Sequence, residues 1–286
     1  MPIDVERALG ARIEGPGYTW SEDDIILYNL ALGAGSEPTN GDELRYVLEG
    51  ELQAVPTFGT VPPFQLFVNM MSVDGLDVSL AQVLHGTQEL LVHKPVPLAG
   101  TVTQEGRLTG IYDKGSGALV VFEVVSTLAE TGEDIFTNRS SIFVRGEGGF
   151  GGDRGPSQVV EAPSRPPDHA VESPTLPQQA LLYRLASGDR NPLHADPAFA
   201  AAAGYPRPIL HGLCTYGIVG KVVVDTALGG DAQQFESFRA RFSGHVFPGE
   251  TIRTSVWNTE GGFAVEAQVV EREEVVVSGA FVGIRP

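Results

Sequence analysis

The residues best equipped for chemistry in this chain are Asp189, Asn191 and His194, which fall within six consecutive positions. A carboxylate and an imidazole so close together can take a proton from one atom of a bound substrate and return it to another. The segment that carries them, Ser187-Gly188-Asp189-Arg190-Asn191-Pro192-Leu193-His194, cannot be regular helix. Pro192 has no N–H and biases Asn191 towards extended backbone, so a fixed turn is expected. Taken alone, the turn has a plainer explanation. Asp and Asn in turns commonly bond their own backbone, and loop histidines are commonly just exposed.

Two helices are expected to hold this turn. Asp196 reads as the N-cap of a short one, with Pro197 as its first residue and Gly204 as its stop. Arg207 to Val224 reads as a second, opened by Pro208 and apolar nearly all the way round, hence buried. Its glycines and prolines would let other backbone approach closely. Unpaired N–H groups near Gly212, at the start of such a helix, suit negative charge developing on a carbonyl oxygen.

The run from Tyr183 to His194, followed by Pro208-Ile209-Leu210-His211-Gly212, resembles the hydratase 2 motif without a departure. That motif marks the MaoC-like, (R)-specific enoyl-CoA hydratases of the hot-dog superfamily. The resemblance implies a hydro-lyase of fatty-acid metabolism that adds water reversibly, with syn geometry, across trans-2-enoyl-CoA to give (3R)-3-hydroxyacyl-CoA. It implies that Asp189 and His194 share one water, that Asn191 holds the water or orients its partner, and that the Gly212 N–H polarises the thioester carbonyl. Segments matching Leu84-His85-Gly86-Thr87-Gln88 and Asp113-Lys114-Gly115-Ser116-Gly117 touch the CoA thioester in the resembling enzymes. His85 and Gly86 are therefore expected near the pantetheine, and Lys114 near the phosphates. Without the resemblance, Lys114 reads as a solvated hairpin lysine. Phe242 packs against the ligand or only in the core, and Arg190 faces solvent or a CoA phosphate. No metal and no cofactor beyond the substrate's coenzyme A is expected, because His211, His245 and His93 show no ligand spacing and read as structural.

Composition narrows the field. With 286 residues, 42% hydrophobic and 19% charged, the chain is long enough for one large core or two modest ones. A net charge of −17 disfavours nucleic acid and anionic membranes as partners, although a local basic patch could still bind coenzyme A. The single cysteine, Cys214, excludes an internal disulfide framework and fits a reducing, cytoplasmic compartment. No secretory signal, no membrane span and no peroxisomal address is recognised.

The chain divides by composition into residues 1–145, a glycine- and proline-rich connector over 146–177, and residues 178–286. The halves echo each other in element order. Pro62 to Met71 is an apolar helix candidate matching the one near Pro208, and each is followed by β-like segments. Glu89–Pro97, Thr101–Ile111, Ala118–Leu128 and Ile135–Val144 answer Phe238–Gly249, Thr251–Val256, Phe263–Val270 and Glu274–Val282. The expected fold is α+β, a double hot-dog of two repeats, each with a central helix wrapped by an antiparallel sheet. The first half lacks the Asp-x-Asn-x-x-His turn, so it is expected to accommodate the acyl and CoA groups while the second does chemistry. A homodimer is expected from exposed sheet edges. A 3-hydroxyacyl-thioester dehydratase remains open, as does a non-catalytic acyl-CoA binding protein. A thioesterase is disfavoured because Gly212 to Val224 contains no carboxylate.

Overall fold

The computed structural model describes residues 3–76, 78, 82–156 and 161–285. The first half runs α1 (Val5–Ala8), β1 (Arg12–Glu14), β2 (Tyr18–Trp20), α2 (Glu22–Ala31), α3 (Gly41–Leu44), a 3-10 turn over Pro56–Thr60 and α4 (Phe64–Met70). Four long strands follow: β3 (Val83–Val92), β4 (Gly100–Asp113), β5 (Gly117–Leu128) and β6 (Asp134–Arg145). The second half runs β7 (His169–Pro174), α5 (Gln179–Ser187), a 3-10 turn over Pro192–His194, α6 (Pro197–Ala202), α7 (Gly212–Thr226), a 3-10 turn over Ala232–Gln234, β8 (Phe235–Phe242), β9 (Thr251–Thr259), β10 (Gly262–Val269) and β11 (Glu274–Ile284).

All the strands join one antiparallel sheet in the order β1-β4-β5-β6-β3-β8-β11-β10-β9-β7, with β2 also on β4. Each half therefore repeats one topology. The halves meet where β3 pairs with β8, from Thr87 opposite Arg241 to Leu91 opposite Ser237. Alternation sets which way the sheet faces: in β4, Val102 and Leu108 point inward while Thr103 and Arg107 point out. This is the expected double hot-dog.

Helix α7 lies on the inner face, with every residue from Cys214 to Val224 buried. A Cβ on Gly217 would stand 2.5 Å from Leu32, and one on Gly220 would stand 2.6 Å from Thr57. These two glycines let α2 and the Pro56–Thr60 turn of the first half lie directly on α7, as expected of its small residues. Helix α4 is shorter and covers a separate small core with Leu66 and Met70 under Leu108, Phe122 and Val124.

Several boundaries differ from the sequence reading; the segment expected over Phe238–Gly249 is strand only as far as Phe242, in β8. α7 opens at Gly212 rather than Pro208, because residues 207–211 run extended and bond elsewhere: the Leu210 N–H donates to the Val246 carbonyl at 2.7 Å. The expected connector over 146–177 contains β7, which pairs with β9 from His169 opposite Val256 to Pro174 opposite Thr251. Pro174 is tolerated there because β7 is an outer strand with no neighbour on its far side among the described residues. The glycine run before it is docked as well: the Asp113 carboxylate accepts N–H bonds from Gly115, Gly149 and Gly151 at 2.8, 2.9 and 2.7 Å. Finally, β3 begins at Val83 and stops at Val92, since Pro95 and Pro97 remove ladder donors beyond it.

Candidate active site

The catalytic turn is built by its own side chains. Helix α5 ends where Gly188 takes φ +74°, a left-handed conformation that glycine adopts without strain. Ser187 Oγ then accepts the Asp189 N–H at 3.2 Å, Asp189 Oδ1 accepts the Asn191 N–H at 2.9 Å, and Asn191 Oδ1 accepts the Leu193 N–H at 3.0 Å. Each bond spans two residues, so three polar side chains in succession fold the chain into one ratchet. The plain explanation for these residues thus holds in part. Asp189 nevertheless keeps its second oxygen, and Asn191 keeps its amide N–H groups.

His194 is fixed from the next loop. Its Nδ1 lies 2.9 Å from the Ile209 carbonyl oxygen, which can only accept, so Nδ1 carries the proton. In the neutral ring Nε2 is then a free lone pair. The Ile209 N–H returns a bond to the Leu193 carbonyl at 3.3 Å, and Asp196 caps α6 just beyond. Burial pushes the Asp189 carboxyl above its ordinary value, with His194, the Asn191 N–H and Arg184 pulling it back. Burial pushes the His194 imidazole below its ordinary value, with Asp189 and the Ile209 carbonyl opposing. Both shifts favour the uncharged forms.

His211 joins them, contrary to its reading as a scattered structural histidine without ligand spacing. Its ring stacks on that of His194 with centroids 3.8 Å apart and planes 29° apart. Ligand-capable atoms of Asp189, His194 and His211 all lie within 4.8 Å of one another. The Tyr183 ring also packs against His211 with centroids 5.1 Å apart, and Tyr28 of α2 lies 6.0 Å from Tyr183. Tyr183 opens the motif run but is given no role by the sequence reading; the fold sets its ring against His211. His93 and His245 do have structural partners: His93 Nε2 pairs with Thr137 Oγ1 at 2.9 Å, and His245 packs against Tyr205 and Phe247.

A second group of expected residues gathers at the start of α7. A Cβ on Gly212 would lie 3.3 Å from the Phe242 ring, and Phe242 meets His85 with centroids 4.7 Å apart. His85 sits on β3 beside Gly86, where the register with β6 slips by a bulge. A Cβ on Gly86 would lie 2.9 Å from Ser141 Oγ, so a larger residue there would push that hydroxyl off its bond with Thr87. Burial lowers the His85 imidazole to about 4, and its Nε2 has no hydrogen-bond partner among the described residues. The first half thus contributes β3 to the same place as the second half's helix start. Lys114 and Arg190 are not brought to this group: Lys114 Nζ bonds the Arg154 carbonyl on the β4–β5 hairpin, and Arg190 is exposed. A cleft of about 280 Å³ lined by Leu52, Pro56, Val92 and Leu98 opens at the opposite end of β3 and contains none of these residues.

Residues 18–146 match the family model described as the MFE-2 hydratase 2 N-terminal domain, and residues 158–279 match the MaoC-like domain. An enoyl-CoA hydratase of Mycobacterium tuberculosis is 46% identical over 279 residues, covering 97% of both chains. A 3-hydroxyacyl-thioester dehydratase of the same organism is 40% identical over 93% of this chain and 91% of its own. The crystal structure of a MaoC-like dehydratase from Phytophthora capsici superposes with a TM-score of 0.87 at 30% identity, over 99% of this chain and 98% of its own.

Proposed function

The chain belongs to the MaoC-like hydratase 2 family, and from that premise we propose that it hydrates trans-2-enoyl-CoA reversibly to (3R)-3-hydroxyacyl-CoA. The observation that carries the reading is the meeting of Asp189 and His194 in one largely buried cluster with His211, the N-cap of α7.

In the proposed reaction His194 Nε2 takes a proton from water as the water oxygen bonds to C3. The C2–C3 π electrons move to C2, and the resulting enolate charge falls on the thioester oxygen. The Gly212 N–H at the first turn of α7 receives that charge, a contribution of roughly 3 kcal/mol from one donor. Asp189, whose carboxyl burial pushes towards the protonated form, delivers a proton to C2 from the same side, which makes the addition syn. The proton gained by His194 passes to Asp189 and restores the pair. Asn191 acts by fixing the turn, since its Oδ1 is engaged by Leu193. His85, Gly86 and Phe242 line the approach of the pantetheine, while Arg190 and Lys114 meet phosphates only if their side chains swing. The scheme uses no metal and no cofactor beyond the coenzyme A of the substrate.

The likeness to a 3-hydroxyacyl-thioester dehydratase favours a second reading, the same chemistry run towards the enoyl thioester. Loss of the enoyl-thioester absorbance on adding purified protein to crotonyl-CoA and to a longer trans-2-enoyl-CoA tests both. Hydration of the CoA esters supports the first reading. Activity confined to acyl carrier protein thioesters supports the second, and tight acyl-CoA binding without turnover would leave only a binding role. The first half is proposed to accommodate the acyl chain. Exchanging it should change chain-length preference. We place the chain in the cytoplasm as a homodimer formed through outer strands, because the β3 and β8 edges are already paired within the chain. No helix among the described residues is long and apolar enough to cross a membrane.

A further inference from the structure

We infer that His211 is the third ligand of the reacting water, a role that rests on the hydratase reading. The His211 side chain is 1% exposed, yet neither Nδ1 nor Nε2 has a hydrogen-bond partner among the described residues. A buried imidazole with two idle nitrogens is costly unless a small polar molecule meets it. Burial, and then the neighbouring His194, push its protonation well below the ordinary range against an opposing contact with the Asp189 backbone, which favours the neutral ring with one N–H and one lone pair. It cannot swing away. His211 is the N-cap of α7, its carbonyl accepts from Cys214 and Thr215 at 3.0 and 3.2 Å, and its ring packs against those of both His194 and Tyr183.

The spacing of the cluster is wide enough for a bridging water. Three atoms about 2.8 Å from one water oxygen in tetrahedral directions stand about 4.6 Å apart. The Asp189, His194 and His211 atoms lie within 4.8 Å of one another, which accommodates the water. The water then donates one proton to His194 Nε2 and accepts the His211 N–H on one lone pair. Its other lone pair is left to attack C3.

The test compares wild type with His211→Phe, which keeps the stacked ring without nitrogen, and His211→Gln, which restores an N–H donor. kcat and KM are read on crotonyl-CoA, and the dissociation constant for butyryl-CoA, which lacks the reacting double bond, is read by calorimetry. His211→Phe should lower kcat about 10- to 100-fold while KM and butyryl-CoA affinity stay within twofold. His211→Gln should recover about tenfold of the loss. Unchanged kcat in His211→Phe, or no recovery in His211→Gln, overturns the role. So does a loss confined to KM or to butyryl-CoA binding. An inactive wild type refutes the hydratase reading itself, so the two failures are told apart in one experiment.

Discussion

Replacing Asp189 with asparagine separates the two things this residue does. The carboxamide oxygen can still accept the Asn191 N–H that the carboxylate now receives at 2.9 Å, so the turn keeps its geometry. The exchangeable proton is lost. Positioned acid/base help is worth about 10²- to 10⁴-fold, and kcat should fall at least 100-fold. Stability should move the other way. Burial raises the Asp189 carboxyl in the folded chain, so at neutral pH the unfolded state ionises more easily and folding is penalised. Asparagine has no such penalty, and a gain of about 1 kcal/mol, roughly 2 to 3 °C in Tm, is expected at pH 7. The sign fixes the pH dependence. The gain is full above the folded-state value and vanishes as pH falls towards the unfolded value of 3.8, where the carboxyl is protonated in both states. Turnover of crotonyl-CoA and thermal melts of both proteins at pH 4.5, 6 and 7.5 give the comparison. A variant that keeps more than a tenth of wild-type kcat refutes the acid role. A variant that melts lower at pH 7.5 than wild type refutes the account of its burial.

Further expectations concern the neighbours. Because burial holds the His194 imidazole below 6.5, the acid limb of kcat/KM should have its midpoint below pH 6.5. The same depression means the unfolded chain binds the proton first, so stability should fall as pH drops through 6.5, and less so in His194→Gln. Gly212→Ala places a methyl 3.3 Å from Phe242, which a small ring shift absorbs, so Tm should change little. That methyl stands over the proposed oxyanion donor, however, and kcat should fall at least about tenfold. Gly217→Ala puts a Cβ 2.5 Å from Leu32 and 3.0 Å from the Tyr28 hydroxyl; overpacking of about 1 to 3 kcal/mol should appear in chemical denaturation.

The double hot-dog order and six of the long strands were legible because the chain alternates apolar and polar residues between glycine or charged turns. Asp189 and His194 were legible because Pro192 forces the turn and the motif fixes their spacing. The start of α7 was misread because a proline normally opens a helix, whereas here Pro208 lies in an extended segment held by Leu193 and Val246. Strand β7 was hidden by the prolines around it, which are compatible with an outer strand but look like a linker. His211 could not be assigned locally. Its meeting with His194 depends on Ile209 and Leu210 bonding to two separate loops, and no spacing rule encodes that. Lys114 shows the converse: a role implied by resemblance, for a side chain that here bonds the Arg154 carbonyl.

The central claim is best tested by hydrating trans-crotonyl-CoA with the wild-type protein in heavy water and analysing the product at both new stereocentres. The account predicts the (3R) alcohol, with deuterium entering C2 on the same face as the hydroxyl. An (S) alcohol, anti addition, or no hydration by well-folded protein would contradict it.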